Sequence, residues 1–134
     1  MLKISSWLAV AFGVTLAVLE VARNWDQWEW WPFWVVDYIA ATLLVAGGVV
    51  ALRGVNQLLC AGWSFTCAMF WMSFFSHLDD ALKAGAGISP HERMLTTIIG
   101  CMFAITVAGM ATALLGRTPA SSERKTPGAD GPST

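Results

Sequence analysis

Charge is scarce in this 134-residue chain: Asp, Glu, Lys and Arg together make up 13% of it, about half the share usual in a soluble domain. The net charge of −1 leaves no basic stripe to neutralise phosphates, which excludes nucleic acid as a partner. Cysteine occurs three times. Cys60, Cys67 and Cys101 include no Cys-x-x-Cys pair, so a thiol–disulfide redox centre is not indicated. The chain also lacks a Gly-rich phosphate loop, an H-E-x-x-H and a G-x-S-x-G, the patterns that would hold a nucleotide, a catalytic zinc or a nucleophilic serine. Enzymatic activity and a cofactor are therefore not expected.

What the chain does have is apolar length, with 56% of its residues hydrophobic. Apolar runs occupy 4–22, 33–52, 58–75 and 94–115. Each is about 18 to 22 residues, enough at about 1.5 Å per residue to cross a hydrocarbon core of about 30 Å. The expected fold is all-α, an integral membrane bundle of four transmembrane helices at about 4–23, 32–53, 56–84 and 90–116, forming one domain over 1–116. The first run is longer than the apolar stretch of a signal peptide. It leads into Glu20, Val21, Ala22 and Arg23 rather than a small-residue cleavage site, so it reads as a retained helix. Residues 117–134 are rich in Pro, Ser, Thr and Gly and bury too little to offset their ordering entropy, so a disordered cytoplasmic tail is expected there.

Four crossings place both termini on one side. That side carries Lys3, Arg53, Arg117, Arg124 and Lys125; the other carries Arg23, Lys83 and Arg93. The excess of basic residues points to cytoplasmic termini, in the inner membrane if the source is bacterial. Arg53, Gly54, Val55 and Asn56 read as a tight turn between antiparallel neighbours. In the third loop, Asp79 and Lys83 stand at i and i+4, and Gly85 follows as a C-cap, so the third helix should project about two turns beyond the bilayer. Ser89, Pro90, His91 and Glu92 form a capping box with proline at the first helical position, which should start the fourth helix.

The first loop holds Trp25, Trp28, Trp30, Trp31 and Trp34, interleaved with Asp26 and Glu29. Such a stretch suits the headgroup zone, where an indole ring lies in the interface and its N–H meets water or an ester oxygen. The plain reading is an aromatic belt that anchors the first two helices; the sharper one is an aromatic surface for a cation, a sugar or a partner protein.

Helices in lipid associate through close packing of small residues. Ser6, Ala9, Gly13 and Ala17 form such a stripe on the first helix, ending at Glu20. Asp37, Ala40, Ala41, Gly47, Gly48 and Ala51 form one on the second. Gly100, Ala104, Ala108 and Ala111 form one on the fourth, while the third has Gly62, Thr66, Ser73 and His77 among heavy aromatics. All are expected to face inward.

The membrane-embedded charges suggest three functions. Glu20, Arg23, Asp37 and Tyr38 form an intramembrane polar cluster near the non-cytoplasmic boundary, which faces the bundle because exposing a charge to lipid costs several kcal/mol. As a clasp it locks the first two helices and fixes their register. The alternative is a small proton- or cation-linked transporter or channel, in which Glu20 and Asp37 exchange a proton for a solute within an oligomer. The size and helix count match the small multidrug transporters, but that family carries its acid in the middle of the first helix, and the family is not assigned. Third, His77, Asp79, Asp80, His91 and Glu92 gather at one loop, and imidazole with carboxylate suits zinc, copper or iron. Their spacing matches no metal motif, and no metal is expected. The favoured reading is a small non-catalytic membrane-complex subunit or interaction protein. Its partners would be the lipid bilayer, another membrane protein or a second copy of itself.

The topology has a direct check. In a cysteine-free background, Arg53→Cys should react with an impermeant thiol reagent from one side of sealed vesicles only, and Asp79→Cys only from the other. Labelling of both from the same side would overturn the four-crossing arrangement.

Overall fold

The computed structural model describes residues 1–25 and 31–116, excluding the side chains of 23, 24, 31–33 and 86. The elements are α1 (Leu2–Asn24), α2 (Trp31–Ala51), α3 (Gln57–Ala84), a single 3-10 turn at Gly85–Gly87 and α4 (Pro90–Leu115). Among the described residues there is no strand, and the all-α architecture expected from the sequence is present. Each of the four helices is long and apolar enough to cross a membrane. The expected tail, at 117–134, lies outside the described residues.

Local chemistry sets the helix ends. Gly54 (φ 96°) closes α2: its N–H bonds Ala51 O at 3.0 Å and the Val55 N–H bonds Val50 O at 3.4 Å. This is a Schellman closure, which needs a left-handed residue that only glycine adopts without strain. Gly85 (φ 54°) ends α3, its N–H bonding Ala81 O. At the start of α4 the Glu92 N–H donates to Ser89 Oγ and the Ser89 N–H to Glu92 Oε2, both at 3.1 Å, with Pro90 in the first turn. The capping box is therefore formed. At 28 residues, α3 is about 42 Å long, roughly two turns longer than a crossing of about 30 Å requires.

Consecutive helices run antiparallel, and α4 returns to pack on α1. Glycine lets the backbones touch. A Cβ on Gly48 would lie 2.7 Å from Ser6 O, and one on Gly13 would lie 2.9 Å from Ala41 O. Between α2 and α3, a Cβ on Gly47 would meet Leu59 Cα at 2.8 Å and one on Gly62 would meet Leu43 O at 3.0 Å. Ser6, Ala9, Ala40, Ala41 and Ala51 are buried beside them. The small faces expected on α1 and α2 therefore do form the interface.

The fourth helix differs from expectation. Ala104, Ala108 and Ala111 are exposed, while Ile99, Thr106, Gly109 and Ala113 are buried. The face that turns inward is the one that seats Trp63, whose ring lies against Gly109. A large ring needs a glycine opposite it, and a stripe of alanines supplies no such notch.

Phe12 completes the core, its ring 5.9 Å from Trp63 and 5.8 Å, edge-on, from Phe70. Further along α3, Phe74 stacks on Phe103 at 5.9 Å. The outward faces are apolar too: Val18, Met72 and Leu115 are 61%, 71% and 73% exposed.

Close backbone approach makes a sharp test. Gly48→Ala forces α1 and α2 apart and should destabilise the protein by about 1–3 kcal/mol, read as a lower Tm in detergent. Gly87→Ala, with nothing near its Cβ direction, should stay within about 0.5 kcal/mol. Equal effects would refute the close contact of α1 and α2.

Candidate functional site

Of the residues expected to form a polar cluster, Glu20, Asp37 and Tyr38 lie toward one end of α1 and α2. Glu20 is buried, 9% exposed, and continues the small face through Ser6, Ala9 and Gly13. The backbone contacts fix the register: Ser6 lies against Gly48 and Gly13 against Ala41. Continued along two antiparallel helices, this puts Ala17 level with Asp37 and Glu20 level with Trp34. Glu20 and Asp37 are thus separated by about one helical turn along the bundle axis. Asp37 and Tyr38 are half-buried, and neither Glu20 nor Asp37 stands alone. The side chain of Arg23 lies outside the described residues. A groove of about 410 Å³ between α1 and α2 begins at Tyr38 and Ala17 and runs past Gly13 and Ala41 to Val45.

Of the interfacial tryptophans, Trp25 is exposed and Trp34 half-buried. Trp28 and Trp30 lie outside the described residues, as does the side chain of Trp31.

The candidate metal ligands are dispersed over other tasks. Asp79 is hydrogen-bonded and ion-paired with Lys83. That hydrogen bond, with the carboxylate's charge and that of Asp80, holds the Lys83 ammonium above its usual pKa. Both side chains of the pair are largely exposed, so the bond contributes little to stability. Glu92 is engaged in the capping box, while Asp80 and His91 are exposed and His77 half-buried. Among the described residues no three His, Cys, Asp or Glu side chains are grouped to hold a metal ion. Cys60 is buried, Cys67 half-buried and Cys101 exposed, all as free thiols.

Sequence reasoning missed a side-chain network that joins three helices. Trp63 Nε1–H donates to Ser5 Oγ at 3.1 Å, and the Ser5 hydroxyl donates to Gly109 O at 3.0 Å. Ser5 and Trp63 are fully buried. Gly109 provides both the acceptor and the space, since a Cβ there would lie 2.5 Å from the indole ring. Thr112 Oγ1 donates to the same carbonyl at 2.9 Å. The other buried hydroxyls are satisfied within their own helices: Ser6 by Leu2 O, Thr66 by Gly62 O and Thr106 by Phe103 O. The available signal was Trp63 at membrane depth, because an indole N–H there must find an acceptor. The long sequence separation hid the pairing.

No protein-family model, curated protein or solved structure matches this chain.

The network predicts non-additive mutations. Ser5→Ala strands the indole N–H and should cost about 1–3 kcal/mol. Trp63→Phe removes that donor but also leaves space in the core. The double variant should be more stable than the sum of the two by roughly 0.5–1.5 kcal/mol, measured by reversible unfolding in detergent. Strict additivity would mean that the bond carries no energy.

Proposed function

We propose that this chain crosses a lipid bilayer four times, with both termini cytoplasmic, and acts as a small non-catalytic subunit or interaction protein of a membrane complex. One observation carries the reading: among the described residues a fully buried core is packed around Trp63, and three apolar grooves open on the outer faces. Trp63, Leu44 and Leu59 are fully buried at the centre, and the buried hydroxyls bond to backbone carbonyls rather than lining a path. Three grooves lined by the described residues lie on the outer faces and are mostly apolar.

Exposure supports the bilayer as the solvent. In water, helices this apolar on their outward faces would present a patch far larger than soluble monomers tolerate. In lipid they are satisfied, and packing of small residues with buried hydroxyl bonds is what holds such helices together. Two features favour a partner on the non-cytoplasmic side. The last turns of α3 extend past the length a bilayer needs, and Leu82 there is 72% exposed between Asp80 and Lys83. An apolar side chain displayed among charges outside the hydrocarbon is the pattern of a protein contact.

A second reading, proton- or cation-linked transport by an oligomer, draws on the register that brings Glu20 and Asp37 within a turn of each other beside the Tyr38 groove.

Affinity purification in mild detergent separates the two. The subunit reading expects a stoichiometric membrane partner whose recovery falls about tenfold in Leu82→Glu, the loss typical of one interface hot spot. It expects Asp37→Asn to lower Tm without any flux to lose. Recovery of the chain alone as an oligomer, with proteoliposome proton flux abolished by Asp37→Asn, would replace it with transport.

A further inference from the structure

Arg93 stands exposed in the first turn of α4. The ion pair found among the described residues is that of Lys83 with Asp79, and none of their carboxylates lies within ion-pair distance of the Arg93 guanidinium. The helix start is already satisfied by its own chain, with the Glu92 N–H on Ser89 Oγ and the Arg93 N–H on Ser89 O. Attraction for an anion here therefore comes from the guanidinium itself, with the helix dipole behind it.

Two apolar grooves of about 440 Å³ each meet at this residue. One runs between α3 and α4 from Ile88 to Ala104, past Phe74 and Gly100. The other follows the outer flank of α4 along Pro90, Met94 and Ile98. Thr97 borders both, but its hydroxyl donates back to Arg93 O, as that of Thr96 does to Glu92 O. The walls are thus apolar and the one charge sits at the shared mouth. From Arg93 to Ala104 is about 16 Å of helix, close to one leaflet's share, about 15 Å, of the hydrocarbon core.

We infer that this end of the α3–α4 hairpin binds one anionic phospholipid, its phosphate paired with the Arg93 guanidinium and one acyl chain in each groove. The inference rests on the membrane reading above and adds to it a ligand and a place. Charge complementarity selects the occupant. Guanidinium forms bidentate bonds with phosphate oxygens, and a leaflet-length groove with a shorter apolar groove beside it, meeting at one cation, suits a two-chain lipid. A partner helix would fill one groove and leave the charge without a counter-ion.

Native mass spectrometry of the full chain in mild detergent tests this, using phosphatidylglycerol and phosphatidylcholine with identical acyl chains. One phosphatidylglycerol per chain should be retained about fivefold more strongly than phosphatidylcholine, the increment expected for one basic side chain near an anionic surface. Arg93→Gln should remove that preference, Arg93→Lys should keep most of it, and Arg53→Gln at the opposite end should leave it unchanged. Ala104→Leu, at an exposed position in the first groove, should lower retention of both lipids. Excess inorganic phosphate should not displace the bound lipid. Equal retention of the two lipids, an undiminished preference in Arg93→Gln, or displacement by inorganic phosphate would each overturn the inference. Recovery of the intact chain in the aqueous fraction without detergent is a distinct outcome and overturns the membrane reading together with it.

Discussion

A buried indole N–H must have an acceptor, and the arrangement of three helices follows from meeting that need. Trp63 is fully enclosed and its acceptor is Ser5, four residues from the start of the chain. Ser5 passes its own hydrogen to Gly109 near the end of α4. The ring fits only because position 109 has no Cβ. One chain of two hydrogen bonds therefore sets how the starts of α1 and α3 and the end of α4 meet. In a low dielectric such bonds cannot be traded for bonds to water, so losing the acceptor leaves the donor's desolvation uncompensated. The start of α1 and the end of α4 also meet, with Gly116 lying against Leu2.

This lock makes the two ends of the bundle unlike. Every buried residue of α3 lies at or before Phe70, so its second half leaves the shared core. There α3 holds to α4 through aromatic contacts, Phe74 stacked on Phe103 and Trp71 edge-on to it at 5.6 Å. The α1–α2 pair behaves differently, since its small face stays closed as far as Glu20. Away from the termini the molecule is two hairpins side by side, one closed by glycine and alanine, the other bridged by rings and grooved along its outside.

Much of this was legible in the residues, and the failures have physical causes. Hydropathy gives helix number because each run has to satisfy its backbone internally, a requirement that depends on length and little else. The turn at Gly54, the cap at Gly85 and the box at Ser89 and Glu92 are local chemistry, readable from a few adjacent residues. The inward faces of α1 and α2 were readable because small residues recur at helical spacing on both, Ser6, Ala9, Gly13 and Ala17 on one and Ala40, Ala41, Gly47, Gly48 and Ala51 on the other. On α4 the same rule held for Gly100, which meets Phe74, and misled for Ala104, Ala108 and Ala111, which are exposed because the helix turns to offer Gly109 to Trp63. A stripe of small residues says that close approach is possible on that face, and one large partner elsewhere decides which face is used. The Ser5–Trp63–Gly109 network was illegible for the same reason, its members being 58 and 104 positions from Ser5. Within the polar cluster the burial of Glu20 followed from its place on the small stripe. The loop His and acid side chains, by contrast, satisfy nearby groups or stand exposed, as surface ionisable groups generally do.

Among the described residues the buried hydroxyls of this bundle are bonded within it. An indole fills the core, Gly13, Gly47, Gly48 and Gly62 are spent on backbone contact, and Gly109 makes room for the ring. Groups that remain chemically available lie at the rim: Arg93 at the mouth of two grooves, Asp80 and Leu82 on the extended α3, Tyr38 at the head of the α1–α2 groove. Sealing the core with one aromatic side chain frees the outer surface to differ from face to face. That difference, more than any property of the interior, is what a lipid or a partner chain would recognise.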